Sequence, residues 1–477
     1  MQGMSKPGQH WARFAGMALA VAALAGCGVP RAVQQPPAAT LAPTHWPHAE
    51  GAAAEAIAAQ WWQAFGSDEL DHLVALAHAR SQDIAASAAR VRQAQAAAHA
   101  AGAVLWPALE GGLSAQRASR ATATGGQASL YGASLVATYE VDFWGRNRAA
   151  HEAASAAWQA SRFARDTVRL TVTAQVAHGW LQAVALRERQ HIAQQNLATV
   201  ERFLALVESR VRAGAASPLE LAQQRGLVAA QKQMLAELRG QGEGAAVALS
   251  LLLGQARRID LRTPSLQALA LPRVGAGLPA QLLERRPDIA QAEALLAAAS
   301  ADVQAARAAL WPRLTLTGSA ATSAGRAADW LHAPVATLLA GLAGPIFDGG
   351  RLAAQHDAAQ ARREELLANY HKAIVAAFTD VELALDASAS LEEQARAQDE
   401  ALVQARAALA LAESRYRSGA ETMLALLDAQ RVVTAAQDAQ VQIRLARLQA
   451  AVSLYRALGG GWRPPEATPM AQAEPLP

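Results

Sequence analysis

The chain has 477 residues, 52% hydrophobic but only 5% aromatic and 17% charged, with a formal net charge of +3. Charge this close to zero leaves no polyanion-binding footprint and excludes nucleic acid as a partner. A single cysteine excludes internal disulfides and thiolate metal clusters, and Ala-rich sequence dotted with Gln, Arg and Glu favours long helices over an aromatic-rich core.

That cysteine, Cys27, sits in "ALAGCGVP". Ahead of it stand Lys6 and Arg13, no acidic residue, and the apolar run "FAGMALAVAALAG" from Phe14 to Gly26. A positive start followed by an apolar run too short to span a bilayer reads as an export signal over residues 1–26. The ending Leu24-Ala25-Gly26-Cys27 resembles the bacterial lipobox, which implies cleavage before Cys27 and covalent lipid on it, N-acyl and S-diacylglycerol. Gly28 after the cysteine, rather than Asp, implies delivery to the outer membrane. Two of the 43 basic residues leave with the signal, against 40 acidic ones, so the mature charge is +1.

After a linker over 27–59 the chain repeats itself. "DIAASAARVRQAQAAAHAAGAVLWPAL" from Asp83 is answered by "DIAQAEALLAAASADVQAARAALWPRL" from Asp288, an offset of 205. Trp106-Pro107 and Trp311-Pro312, Gly145-Arg146 and Gly350-Arg351, and "ESRVRAG" and "ESRYRSG" keep the same offset. Several anchors without slippage mean a tandem duplication. Its halves run over 60–264 and 265–462, and 463–477 reads as a disordered tail.

Each half changes period along its length. Leu197, Val200, Leu204, Val207 and Val211 follow the 3-4 spacing of a coiled-coil seam, and Leu402, Ala405, Leu409, Ala412 and Tyr416 repeat it. Helical pattern reaches back to about Arg148 and Leu352, and some 65 residues at about 1.5 Å each make a rod on the order of 100 Å. Each rod stops at a glycine turn, Gly214 in "AGAASP" and Gly419 in "SGAETM", before helical pattern returns. These are long helical hairpins.

Between the Trp-Pro and Gly-Arg anchors the period is two. "YGASLVATYEVD" alternates apolar and small or polar residues, as do "LEGGLSAQ" and "LTLTGSAA", and a fourth segment is more uniformly apolar. Strands are predicted over about 108–118, 130–142, 313–323 and 335–347, in the pattern of a transmembrane β-barrel. No mature segment has the roughly 18 apolar residues of a membrane helix. Four strands cannot close a barrel when about eight is the usual minimum, so several chains must share one.

The lipobox, "WWQAFGSDELDHLVALA" at 61–77, "YEVDFWGRNRAA" at 139–150, "SRYRSGAETMLALLDAQRVV" and "SLYRALGGGW" resemble the TolC-type outer-membrane factors, in their NodT and OprM lipoprotein branch. The likeness spans about residues 45–462. It implies a mainly α fold with a transmembrane β-barrel, in which a homotrimer forms a twelve-stranded barrel in the outer membrane on a periplasmic α-helical tunnel. It further implies a tripartite efflux pump, with a periplasmic membrane-fusion adaptor and an inner-membrane RND-type pump as partners and outer-membrane lipid around the barrel. Cys27 would carry the lipid anchor. Positions matching the family's periplasmic gate are Tyr416, Leu424, Asp428 and Arg431. Three copies of Asp428 would form a carboxylate ring that favours cations; the plainer reading is an ordinary i,i+3 surface pair of Asp428 with Arg431. Ala425 and Glu421 depart from the pattern of members with a second gate aspartate or a basic residue there. The tips around Arg210, Arg212, Gly214, Arg415, Arg417 and Gly419 are the expected adaptor-docking sites, against solvated coiled-coil ends as the alternative.

The chain is not expected to be an enzyme or to hold a metal or other cofactor. It has no Walker loop, H-E-x-x-H or G-x-S-x-G, and "RGQGEG" at 239–244 ends a helical run instead of following a strand. His45, His48, His72 and His78 have no metal-motif partners. Glu140 and Asp142 would either face the lumen or cap the strand-to-helix corner. The alternatives kept open are a type I protein-secretion exit channel and a structural periplasmic coiled-coil lipoprotein.

Overall fold

A computed structural model of the chain describes Trp46 and residues 57–119, 127–326, 328–329 and 333–464. All lie in one compact unit, residues 39–477. The export signal, Cys27, His45, His48 and the tail beyond Pro464 lie outside the described residues.

A short 3-10 turn, Trp61–Phe65, leads into α1 (Asp68–Arg80) and α2 (Gln82–Ala103), then strands β1 (Ala108–Ser119) and β2 (Gln127–Val141). Helices α3 (Arg146–Arg212) and α4 (Pro218–Leu252) form the first long hairpin. The second half runs α5 (Pro279–Arg285), α6 (Pro287–Ala308), β3 (Arg313–Ala324), β4 (Val335–Ala343), α7 (Arg351–Arg417) and α8 (Met423–Ala457). The bounds of α2, β1, α3 and α4 reappear in α6, β3, α7 and α8 shifted by 205 residues at both ends. Helices α3 and α7 have 67 residues each, about 100 Å of helix.

The duplication extends to backbone constraints. Gly254 and Gly459, each just past a returning helix, have φ of 65° and 87°. A Cβ at either would run into a carbonyl oxygen, that of Arg80 for Gly254 and of Arg285 for Gly459, and those two arginines are again 205 apart. Only glycine satisfies both demands, left-handed backbone and close approach.

The fourth strand is shorter than its apolar pattern predicts, ending at Ala343 instead of Phe347. Pro345 lacks an N–H for the ladder, and Gly344 already lies against Pro312. Ile346 and Phe347 are left almost fully exposed beyond the strand.

The main core lies where the hairpins meet α1 and the inter-repeat segment. Trp61, Phe65, Leu70, Trp180, Leu181, Leu249, Leu266 and Tyr455 belong to it, and Trp61 stacks on Tyr455 with centroids 5.1 Å apart. Glu69 ties the inter-repeat segment down. It accepts from Trp180 Nε1 (3.1 Å), Arg262 N (2.6 Å), Thr263 N (3.0 Å) and Thr263 Oγ1 (2.6 Å). Burial pushes this carboxyl's pKa up, but those hydrogen bonds outweigh it and hold the group below its ordinary value. In the second half Arg286, nearly buried, binds both Asp288 (2.6 Å) and Asp380 (3.1 Å) and donates to Ala457 O. His78 is a half-buried, satisfied histidine at the edge of this core: Nε2 lies 2.7 Å from Thr173 Oγ1 and Arg169 reaches Nδ1. Burial and then the Arg169 charge lower its pKa to about 4. Trp46 packs on Phe378 of α7 and donates from Nε1 to Gly277 O at 3.1 Å.

Candidate functional site

The antiparallel sheet has the order β1-β2-β3-β4, and its register sorts the side chains. Leu109 faces Ala137, Leu113 faces Ala133, Leu135 faces Ala320, and Leu314 faces Leu342, all on one surface of the sheet. Leu109, Leu113, Leu135, Leu338 and Leu342 are 49 to 84% exposed, which no aqueous surface sustains as a continuous belt. The other surface carries Ser114, Ser134, Thr138, Glu140, Thr315, Thr317 and Ser319. Apolar outside and polar inside is the division between lipid and lumen. A 12-residue strand, tilted about 40° at about 3.3 Å per residue, covers the roughly 25 Å apolar band.

An aromatic collar marks the end of the sheet where the helices begin. Trp144 stacks on Trp311 at 4.9 Å, Phe143 meets Trp144 edge-on at 5.0 Å, and Trp106 and Phe347 stand exposed nearby in the chain. Trp and Phe at the strand ends suit a bilayer interface. In the sequence Trp106 and Trp311 stand out as repeat anchors, and their position flanking apolar strands is the signal that finds the collar. Glu140 is held by Arg146 (2.8 Å), and Asp142 accepts from the N–H groups of Asn147 and Arg148, so both serve the strand-to-helix corner.

At the far end the two hairpin tips share one construction. Gly214 and Gly419, with φ of 70° and 78°, end α3 and α7. In each tip the residue after the glycine donates to the carbonyl five residues back, Ala215 to Arg210 and Ala420 to Arg415, both 2.8 Å. The same arginines return the contact from their side chains to Ala215 O (3.4 Å) and Ala420 O (3.5 Å). Ser217 and Glu220 form a capping box at α4, and Thr422 caps α8.

The expected tip and gate residues therefore separate. Arg210 is spent internally, over the Tyr416 ring at 4.9 Å and on Tyr416 O. Arg415 pairs with Glu421 (3.3 Å) and Arg417 with Glu413 (4.0 Å), while Arg212 is exposed. Tyr416 is buried with Phe203, Val207, Met423, Leu426 and Leu427, and burial pushes its hydroxyl pKa up. Leu424, Asp428 and Arg431 instead share one exposed stripe of α8, about 100° around the helix from the buried Met423, Leu427 and Gln430. Among the described residues Asp428 and Arg431 form no ion pair with each other, although an i,i+3 pair was the plainer expectation for them. All ten seam positions are buried or half-buried.

The model of the outer membrane efflux protein family matches residues 73–255 and 278–460. The chain belongs to that family. The two matches are themselves 205 residues apart, one per repeat. The chain is 48% identical to the pyoverdine export outer membrane protein OpmQ of Pseudomonas aeruginosa, over 88% of this chain and 92% of OpmQ. It is 34% identical to the toluene efflux pump outer membrane protein TtgC of Pseudomonas putida, over 94% and 95%. The solved outer-membrane channel OprN superposes with a TM-score of 0.85 at 27% identity, covering 92% of this chain and all of that one. This efflux protein is an outer-membrane channel, the exit component of a tripartite pump that includes a periplasmic adaptor and an inner-membrane transporter. Three copies pool four strands each into a twelve-stranded barrel, with the helical hairpins extending into the periplasm.

Proposed function

We propose that the channel is a passive duct for small molecules, closed at its periplasmic end by three copies of the Leu424–Asp428–Arg431 stripe. The supporting observation is that these side chains are exposed and unpaired with one another on one α8 face, next to the packed tip that fixes their positions. Three carboxylates converging at a constriction hold a cation and favour cationic passage, and Arg431 pairs with the acid of a neighbouring copy to hold the closed state. Tyr416 acts here as the buried seat under Arg210. Reconstituted in planar bilayers, Asp428→Ala should raise closed-state conductance severalfold; unchanged conductance would remove Asp428 from the gate.

The exposed Arg212, with Arg417 and Leu219 on the matching tips, forms the adaptor-docking surface, and Arg210 and Arg415 hold the turns in shape. An RND-type pump supplies the cargo, and the duct itself runs no chemistry. Identity of 48% with a pyoverdine exporter, against 34% with a toluene exporter, favours pyoverdine or a compound of its kind as cargo. A deletion strain should then lose that compound from its medium, and an undiminished titre would set that cargo aside. Cys27 carries the lipid anchor, and the mass of the mature N-terminal peptide, with or without acyl chains, decides this directly.

A further inference from the structure

A cavity of about 350 Å³ lies between the 3-10 turn, α1, the first half of α3 and the turn after α8. Trp61, buried, and Trp62, Phe163 and Trp462, half-buried, supply its apolar lining. Phe163 meets Trp462 edge-on with centroids 5.7 Å apart, and Trp62 meets the His78 ring in the same way at 5.7 Å. The turn Gly459-Gly460-Gly461 closes the remaining side, so near that a Cβ at Gly460 would run into Leu170 and Trp61.

Four arginines line this aromatic cavity against a single aspartate. Arg165 pairs with Asp166 at 2.7 Å, and Asp166 also accepts from Trp462 Nε1 at 3.0 Å. The other three keep their charge uncompensated. Arg162 lies over the Trp158 ring at 6.0 Å and donates to Gln159 Oε1 at 3.1 Å. Arg169 donates to His78 Nδ1 at 3.3 Å, and His78, with a pKa of about 4, is uncharged at pH 7. Among the described residues no carboxylate pairs with Arg162, Arg169 or Arg463.

The duplication shows that the fold does not require this chemistry. Shifted by 205 residues, Arg162 and Arg169 become Leu367 and Ile374, His78 becomes Leu283 and Trp62 becomes Gln267, while Trp462 shifted back becomes Arg257. Helix α7 thus reaches the same bounds as α3 with apolar residues where α3 carries the two cations. The stretch from Arg162 to Thr173 lies about 24 to 40 Å along α3 from its start at the collar, and Thr173 is nearly 60 Å from the tip. Lipid head groups at the collar and the gate at the tip are both out of reach, so a ligand arrives from the periplasm.

We propose that this cavity binds a soluble organic anion with a flat apolar body, of the aromatic carboxylate class. The indole and phenyl rings take the flat body, and the guanidiniums bind the carboxylate through charge-assisted hydrogen bonds. The volume falls in the range of small-ligand sites, which are mostly apolar with a few placed polar groups. A neutral aromatic would leave the three cations without a counter-charge.

The test is equilibrium dialysis at pH 7 of the trimer in lipid nanodiscs against 2-naphthoate, with empty nanodiscs as the blank and 2-naphthol as the neutral counterpart. Saturable binding of one naphthoate per chain is expected, about tenfold or more tighter than naphthol. Arg162→Gln with Arg169→Gln should weaken naphthoate binding about tenfold or more, since each change removes a charge-assisted contact. Trimer content is read in parallel as the heat-modifiable species. Equal affinity for naphthoate and naphthol, or unchanged naphthoate binding in assembled trimers of the double variant, would overturn the proposal. Should that variant not assemble, the ratio of naphthoate to naphthol affinity on the wild-type protein decides alone. A chain ended after Pro464 that binds naphthoate where the full chain does not would give the cavity to the segment 465–477, which carries Glu466 and Glu474 and no basic residue, and would equally overturn it. None of these outcomes touches the channel assignment.

Discussion

Helices α3 and α7 have the same length and the same place in their repeats, yet 19 residues of α3 are buried and only 10 of α7. Both carry coiled-coil seams, so the difference lies in what surrounds them. Helix α3 sits inside its own protomer, closed by α2, α4, α6 and α8. Helix α7 keeps Val375, Leu383, Val403 and Leu411 more than half exposed. One repeat is finished by its own chain and the other by its neighbour. Folding and assembly are thus written into equivalent positions of a duplicated sequence, and a substitution at either image reports on a different event.

The largest effect is expected from the pair Val452→Asp and Val247→Asp. Val452 is fully buried against the main core, and an unpaired carboxylate there should cost roughly 3–5 kcal/mol and abolish the folded protomer. Val247, its image, is 59% exposed, so the same change should alter a single chain by about 0.5 kcal/mol or less. Trimer formation should nevertheless fail, because the neighbour's α7 would bury that charge. Circular dichroism of detergent-extracted protein reads the helices, and heat-modifiable migration reads the trimer. Val247→Asp trimers as abundant as wild type would break the comparison.

Much of this was legible in the sequence, and the reason is periodicity. The offset between Trp106 and Trp311, the seams from Leu197 and Leu402, and the strand alternation are local patterns that geometry preserves. Gly214 and Gly419 revealed the hairpin tips because only a few residue types tolerate that backbone. The roles inside the tips were not legible. Arg210 and Arg212 look alike in sequence, and only the fold turns the first onto Tyr416 and leaves the second in solvent. The contacts that join distant segments, Glu69 with Thr263 and Arg286 with Asp380, carry no periodic signature. Nor does exposure of Val247 beside burial of Val452, since the residue type is the same at both.

Glu69 allows a smaller and sharper test of the half that is finished by its own chain. Its four hydrogen bonds hold the inter-repeat segment against α1 and α3, and its pKa is depressed in the folded state. A depressed folded pKa contributes stability that is present above the unfolded value, about 4.3, and is lost as pH falls toward the folded value. Glu69→Gln should therefore cost about 1–3 kcal/mol at pH 7, the range for hydrogen bonds to a charged acceptor. The gap between wild type and variant should narrow as pH falls below 4, because the wild-type carboxyl then also becomes neutral. Denaturant unfolding at pH 7 and at pH 3.5 measures both. A gap of the same size at the two pH values would mean that Glu69 acts through shape, and that its charge does not hold the two repeats together.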